Sequence, residues 1–234
     1  MSREIDKVKI KAAVKRRKRE AYKPVVPKIQ LGFIHHNVDC IGCRACEIAC
    51  KDKNGLAPGP RLRRVSYIEG GVYPNVYAYK VNMSCNHCAQ PACLPTCPTG
   101  AIYKRVSDGI VDIDSTLCIG CRRCEAACPY GAPQFDPVDN LVKKCNMCVD
   151  EIDAGRKPYC VMACMMRVLD IGPIDEISGG SFKTTAIGPN DTPVKQVKNM
   201  ANPDLTNPSI RFIAHSKGGV QTKNSIRKLI SKYK

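Results

Sequence analysis

The sequence predicts an α+β chain of two small lobes, one inserted in the other, with extended basic N- and C-terminal arms. Three observations predict it. Sixteen cysteines fall into four quartets of nearly the same internal spacing, with none left over. Two alternating runs around Asp108-Gly109 make a β-hairpin between the second and third quartets. Aromatic residues make up only 6% of the 234 residues and Trp is absent, too little for a large conventional apolar core. Such a chain folds around bound metal, because metal-binding free energy becomes folding free energy.

In chain order, residues 1–28 read as a basic arm ending at Pro24 and Pro27. The run Lys15-Arg16-Arg17-Lys18-Arg19 has no apolar stretch behind it, so an export signal is not expected. Residues 29–81 open the outer lobe with the strand-like Ile29 to Ile34 and the first quartet. A Gly/Pro/Arg-rich loop over 55–70 and a strand from Val76 to Val81 follow. Residues 82–135 hold the second quartet, the hairpin (101–106 and 110–114) and the third quartet, which makes an inserted lobe. Residues 136–176 return to the outer lobe with the fourth quartet. The C-terminal arm, 177–234, carries Ile226, Leu229, Ile230 and Tyr233 at helical spacing, with Arg227, Lys228 and Lys232 opposite. This reads as a short basic amphipathic helix that docks on a partner subunit.

The quartets are Cys40-x2-Cys43-x2-Cys46-x3-Cys50, Cys85-x2-Cys88-x4-Cys93-x3-Cys97, Cys118-x2-Cys121-x2-Cys124-x3-Cys128 and Cys145-x2-Cys148-x11-Cys160-x3-Cys164. Three thiolates in close succession, with a fourth a short helical step away, are how a chain holds cubane iron–sulfur clusters. Sixteen ligands make four [4Fe–4S] clusters. A disulfide scaffold suits a shorter secreted chain. Structural zinc is the stronger rival, but its ligands come as separated pairs. The tri-cysteine runs, with Pro98 and Pro129 following two terminal cysteines, favour iron.

Charge adds to this. Of the net +16, residues 1–30 carry +8 and residues 174–234 carry +6, leaving +2 on the cysteine-bearing middle. Each cluster with its four thiolates is roughly a dianion, so four would offset roughly half of the excess. A basic zinc protein that binds nucleic acid is disfavoured by the nearly neutral middle, so nucleic acid is not an expected partner. No run approaches the roughly 18 consecutive apolar residues of a membrane span.

Cluster motif, hairpin, cluster motif is the order of a two-cluster bacterial ferredoxin, so both lobes are expected to be ferredoxin-like. In such modules the fourth cysteine of a run ligates the other cluster of the pair. Cluster 1 is then held by Cys40, Cys43, Cys46 and Cys164, and cluster 2 by Cys85, Cys88, Cys93 and Cys128. Cluster 3 takes Cys118, Cys121, Cys124 and Cys97, and cluster 4 takes Cys145, Cys148, Cys160 and Cys50.

The segments from Cys85 to Cys93, from Cys97-Pro98-Thr99-Gly100-Ala101, from Cys118 to Cys124 and from Cys128-Pro129-Tyr130-Gly131-Ala132 carry a resemblance. So do the eleven-residue gap between Cys148 and Cys160 and the run from Asp170 to Glu176. Over about residues 31–176 the chain resembles the four-cluster iron–sulfur subunit of the dimethyl sulfoxide reductase family. The resemblance implies the same crossed pairing. It also implies a place between a molybdenum-cofactor catalytic subunit and a quinol-oxidising membrane anchor or other redox partner. Membrane association would then run through those partners, on the cytoplasmic side or after export with the catalytic partner. The analogous subunit of a formate dehydrogenase or hydrogenase-like complex is the nearest alternative. Cys164-Met165 departs from the family's frequent Cys-Pro. Cys121 is present where some relatives lose a ligand, which keeps the expectation at four [4Fe–4S] clusters.

An electron carrier needs tuned potentials rather than a nucleophile, so no catalytic residue is expected. Gly42, Ala45 and Gly120 let backbone N–H groups approach sulfur. Arg122, Arg123, Lys143 and Lys144 adjoin ligands and place positive charge near the clusters if they turn inward. His87 is expected to pack or to support the ligands rather than ligate, His35 and His36 to pack or to contact a partner, and Met162, Met165 and Met166 to pack around the fourth quartet.

Overall fold

The computed structural model describes residues 25–188 and 191–214, so the basic run 15–19 and the amphipathic 226–233 segment lie outside the described residues. Strand β1 (Leu31–His36) is the centre of a three-stranded sheet, antiparallel to β8 (Leu169–Pro173) and parallel to β9 (Ile210–Ile213). Both faces of β1 are covered, which is why it reads as an apolar run rather than an alternation. Phe33 turns into the larger core with Ile210 and Phe212, while Ile34 packs with Ile177 and Ala186 under helix α6 (Ile174–Gly179).

The expected strand from Ile29 starts two residues late. The N–H groups of Lys28, Ile29 and Leu31 donate instead to the carbonyls of Val106, Ser107 and Asp108, which ties this segment to the tip of the hairpin. That hairpin is β4 (Ile102–Lys104) and β5 (Val111–Ile113), with Ile102 opposite Ile113. Asp108 closes its turn by accepting the Ile110 N–H at 3.0 Å.

The expected loop over 55–70 is corrected. Its second half forms strand β2 (Arg64–Val72), paired along its length with β3 (Asn75–Met83). Gly70 and Gly71 obscured an alternation, Val65-Ser66-Tyr67-Ile68, that becomes a strand once β3 supplies its partners. Val65 stands opposite Asn82, and both are buried.

The remaining elements are short. Helix α1 (Ala45–Lys53) carries Cys46 and Cys50 one turn apart, and α2 (Cys93–Thr96) opens on a ligand. Helix α3 (Arg123–Ala127), the hairpin β6 (Gln134–Asp136) with β7 (Leu141–Lys143), α4 (Val149–Asp153) and α5 (Tyr159–Met162) follow. No helix among the described residues is long and apolar enough to cross a membrane. The mixed α+β character is as expected, with small sheets and short helices arranged around cysteines.

Candidate metal centres

The local backbone of the four quartets repeats. In each opening Cys-x2-Cys the residue before the second cysteine is left-handed: Gly42 (φ 74), His87 (φ 42), Gly120 (φ 66) and Met147 (φ 58). The residue after the second cysteine is also left-handed in quartets one and three, at Arg44 and Arg122. Left-handed backbone costs roughly 1–2 kcal/mol at a residue other than glycine, so a repeated occurrence needs a cause. Alternating backbone handedness turns successive N–H groups towards one point and makes a concave anion cradle of the kind found around iron–sulfur clusters.

Gly42 and Gly120 have a second constraint. A Cβ at Gly42 would meet the Tyr67 ring, whose hydroxyl donates to the Gly42 carbonyl at 2.7 Å, and a Cβ at Gly120 would meet the Asn140 carbonyl. Gly155 is left-handed too, but nothing lies within 4 Å of its would-be Cβ. Gly120→Ala is therefore expected to lower the temperature at which cluster absorbance is lost by several degrees more than Gly155→Ala. Equal shifts would show that this loop needs no close approach.

Two cavities are ringed by cysteines. One is lined by Cys85, Cys88, Cys93 and Cys128 with Pro91, Val111 and Lys144. The other is lined by Cys97, Cys118, Cys121 and Cys124 with Ile102, Ile113, Val142 and Arg122. Each draws three cysteines from one sequence quartet and the fourth from another. The reason is local. Cys97 and Cys128 cap α2 and α3 with extended backbones, ψ 112 and ψ 114, the conformation that a following proline favours. Their side chains thereby leave the helical course of the preceding ligands.

The other eight cysteines also group. Burial raises the Cys50 thiol, and the neighbouring thiols of Cys145, Cys160 and Cys148 push it further up. Burial raises Cys40 as well, with Cys164 and Cys43 adding to it, and Cys46 lies beside Cys40 and Cys164. The expected clusters are called set 1 (40, 43, 46, 164), set 2 (85, 88, 93, 128), set 3 (97, 118, 121, 124) and set 4 (50, 145, 148, 160); the two cavities bring together the cysteines of sets 2 and 3. Among the described residues no three His, Cys, Asp or Glu side chains converge on a single-ion site; the cysteines of sets 2 and 3 line a volume instead.

The chemistry of these sets fits an iron–sulfur group. Burial pushes Cys88 and Cys160 up to about 12 and Cys124 to about 11, so each needs a positive centre to become a thiolate. Several sulfurs already accept hydrogen bonds: Cys46 from Asn82 Nδ2 at 3.2 Å, Cys145 from the Met147 N–H at 3.4 Å, Cys128 from the Ala132 N–H at 3.5 Å. Asn82 carries no sequence signal, since it lies 36 residues from the sulfur that it meets.

The residues expected to supply charge divide sharply. Arg122 turns to Glu125 at 2.7 Å, and Lys143 pairs with Asp136 at 2.8 Å and with Asp139. Arg123 is exposed. Lys144 alone is buried, among Cys85, Cys93 and Cys145, whereas Arg122 borders the cavity of Cys97, Cys118, Cys121 and Cys124 from its exposed rim. Two buried cations that sequence reading missed are Arg63, 1% exposed and 17 residues beyond Cys46, and Lys104, whose Nζ donates to the Cys88 carbonyl at 2.9 Å.

The histidines pack, as expected. His87 Nδ1 accepts the Val111 N–H at 3.0 Å, and burial, with Lys144, Lys104 and Arg63 nearby, holds its pKa well below the usual histidine value. Its carbonyl takes Gln30 Nε2 and Ser209 Oγ, joining the β1 lead-in and the C-terminal tail to the second quartet. His35 Nδ1 meets Asn37 Oδ1 at 2.7 Å, and burial lowers its pKa to about 3. His36 lies against Asp39 and Asp191. Met162, Met165 and Met166 are exposed, which corrects the expectation that they pack around the fourth quartet.

Short helices and small sheets around cysteine-lined cavities define an iron–sulfur electron-transfer protein. The family described as 4Fe-4S dicluster domain matches residues 76–174. The matching chain of the anaerobic dimethyl sulfoxide reductase of Escherichia coli (strain K12) is 44% identical over 168 residues, covering 68% of this chain and 82% of the relative. A subunit of the sulfite dehydrogenase of Allochromatium vinosum is 40% identical over 146 residues, covering 53% of this chain and 61% of the relative. Protein NrfC of Escherichia coli (strain K12) is 37% identical over 150 residues, covering 63% and 67%. The chain belongs to the family of dimethyl sulfoxide reductase iron–sulfur subunits.

Proposed function

We propose that the chain holds four [4Fe–4S] clusters on the four crossed sets. It relays electrons between a molybdenum-cofactor catalytic subunit and a quinol-linked membrane anchor or other redox partner, and is membrane-associated through those partners. When bound, each cluster supplies a one-electron store; the chain supplies spacing, charge and access.

The sets link in series. Helix α2 carries Cys93 of set 2 and leads into Cys97 of set 3, and α1 carries Cys46 of set 1 and Cys50 of set 4. Cys85 of set 2 is a close electrostatic neighbour of Cys145 of set 4. The resulting order is 3–2–4–1. The observation that carries the relay is exposure. Among the described residues the exposed cysteines are Cys43 and Cys121, one in each terminal set, whereas every cysteine of set 4 is buried. Around these ends stand exposed apolar side chains, Ile41, Ile48 and Met165 at one and Ile119 at the other, which suit docking of redox partners.

Sets 2 and 3 make the inserted lobe and sets 1 and 4 the outer one. We close the inserted lobe at about residue 143 rather than 135, because Phe135 of β6 and Val142 of β7 both pack on its apolar cluster. The arms at 1–28 and 177–234 then flank an outer lobe of 29–81 and 144–176.

Anaerobic purification of the complex with metal and sulfide analysis tests the reading. About sixteen irons and as many sulfides per chain are expected, together with a molybdenum-containing chain. Zinc without sulfide would overturn it.

A further inference from the structure

Arg63 is the most enclosed Lys or Arg of the described residues, and no carboxylate pairs with it among them. Its Nη1 donates to Asn82 Oδ1 at 2.9 Å, and its guanidinium carbon lies 4.3 Å over the Phe33 ring. Its Nε and Nη2 find no partner. A buried guanidinium left this way needs compensating negative charge. The sulfurs of Cys160, Cys145, Cys46 and Cys50 surround it, and Asn82, which accepts from Arg63, donates its Nδ2 to Cys46 Sγ at 3.2 Å. Three of those sulfurs belong to set 4 and one to set 1.

Lys144 repeats the arrangement at the next junction. Its Nζ donates to the carbonyls of Val111 and Cys145, the latter at 3.0 Å, and it helps line the set 2 cavity. It lies among Cys85, Cys93 and Cys145, with Asp112 also nearby. Cys85 and Cys93 belong to set 2 and Cys145 to set 4. Between sets 2 and 3 lie the apolar side chains of Leu94, Ile102, Val111 and Val142, while buried Lys104 stands on the set 2 side alone, donating to the Cys88 carbonyl at 2.9 Å.

We propose that Arg63 and Lys144 are positioning residues for electron transfer, each a counter-charge shared by two clusters: Arg63 by clusters 1 and 4, Lys144 by clusters 2 and 4. The inference rests on the crossed cluster assignment above. Each cluster core passes between roughly 2+ and 1+ by gaining one electron, with no proton and no bond broken, so the four-thiolate complex goes from about 2− to about 3−. A fixed cation beside two such groups favours the reduced form of both. Standing between them, it also offsets the repulsion that an electron on one exerts on its neighbour. Set 4 receives both cations, and set 3 receives neither.

The test is a redox titration of the assembled complex, followed by EPR, for Arg63→Met and Lys144→Met, with iron content measured on each. Each variant is expected to make two clusters harder to reduce by about tenfold in equilibrium constant, which is 59 mV for a one-electron couple. One cluster moves in both variants, two move in one variant each, and one moves in neither. Arg63→Lys is expected to restore most of the shift. Should Arg63→Met fail to assemble, Asn82→Asp sets a carboxylate against the guanidinium and is expected to lower the same pair. Full iron content with unmoved potentials, or an equal shift of all four clusters, overturns the proposal. A wild-type complex with fewer than four clusters overturns the cluster assignment instead.

Discussion

Stripping iron and sulfide from the assembled chain is expected to abolish its tertiary structure rather than loosen it. Apart from one three-stranded sheet, the described strands form two-stranded ribbons, which are at best marginal in water. The described helices run from four to nine residues, below the length at which a helix holds by itself. Cysteines sit within the apolar clusters, so Cys93 and Cys124 leave Leu94, Ile102 and Val111 facing a void once the metal goes. Arg63 and Lys144 would be left as buried charges without their counter-charge, each at a cost of roughly 3–5 kcal/mol.

Structural zinc sites offer a scale, at about 10–16 kcal/mol per site. Whole domains are stable by only about 5–15 kcal/mol. Loss of several such sites therefore exceeds any stability left over. Hydrogen exchange should show protection in β1 and β3 falling to that of an unfolded chain on oxidative removal of iron with a chelator. Native protection in the apo-chain would sink the view that the clusters serve as the core.

The second large effect concerns which cluster each ligand serves. Cys128→Ala is expected to damage the cluster of Cys85, Cys88 and Cys93, although Cys128 closes the sequence run of Cys118. Cys97→Ala is expected to damage the cluster of Cys118, Cys121 and Cys124. Each change should convert or delete one EPR signal and remove up to about a quarter of the iron. The physical ground is the pre-proline geometry at both residues, which ends the helix and turns the ligand away from its own run. If each variant lost the signal of its own run, the crossing would be wrong.

Much of this site is legible along the chain because cluster ligation is local. A Cys-x2-Cys needs only a left-handed residue and close backbone, and Gly42 and Gly120 announce both. The Asp108-Gly109 hairpin was legible for the same reason. Strand β2 was not, because the partner that makes a strand of Arg64–Val72 is the strand after it, and its glycines resemble a loop. Charge placement was legible least. Lys143 and Lys144 are neighbours in sequence, yet one meets Asp136 and Asp139 in the open while the other is sealed among sulfurs.

By itself the sequence carried the cysteine runs, the left-handed loops that present them and the family. These depend on residues within a few positions of one another. Only the tertiary structure decided which ends are exposed and which cations turn in among the sulfurs. Burial and electrostatic energy are sums over neighbours in space, and Arg63 meets its sulfurs from segments that lie far from it along the chain.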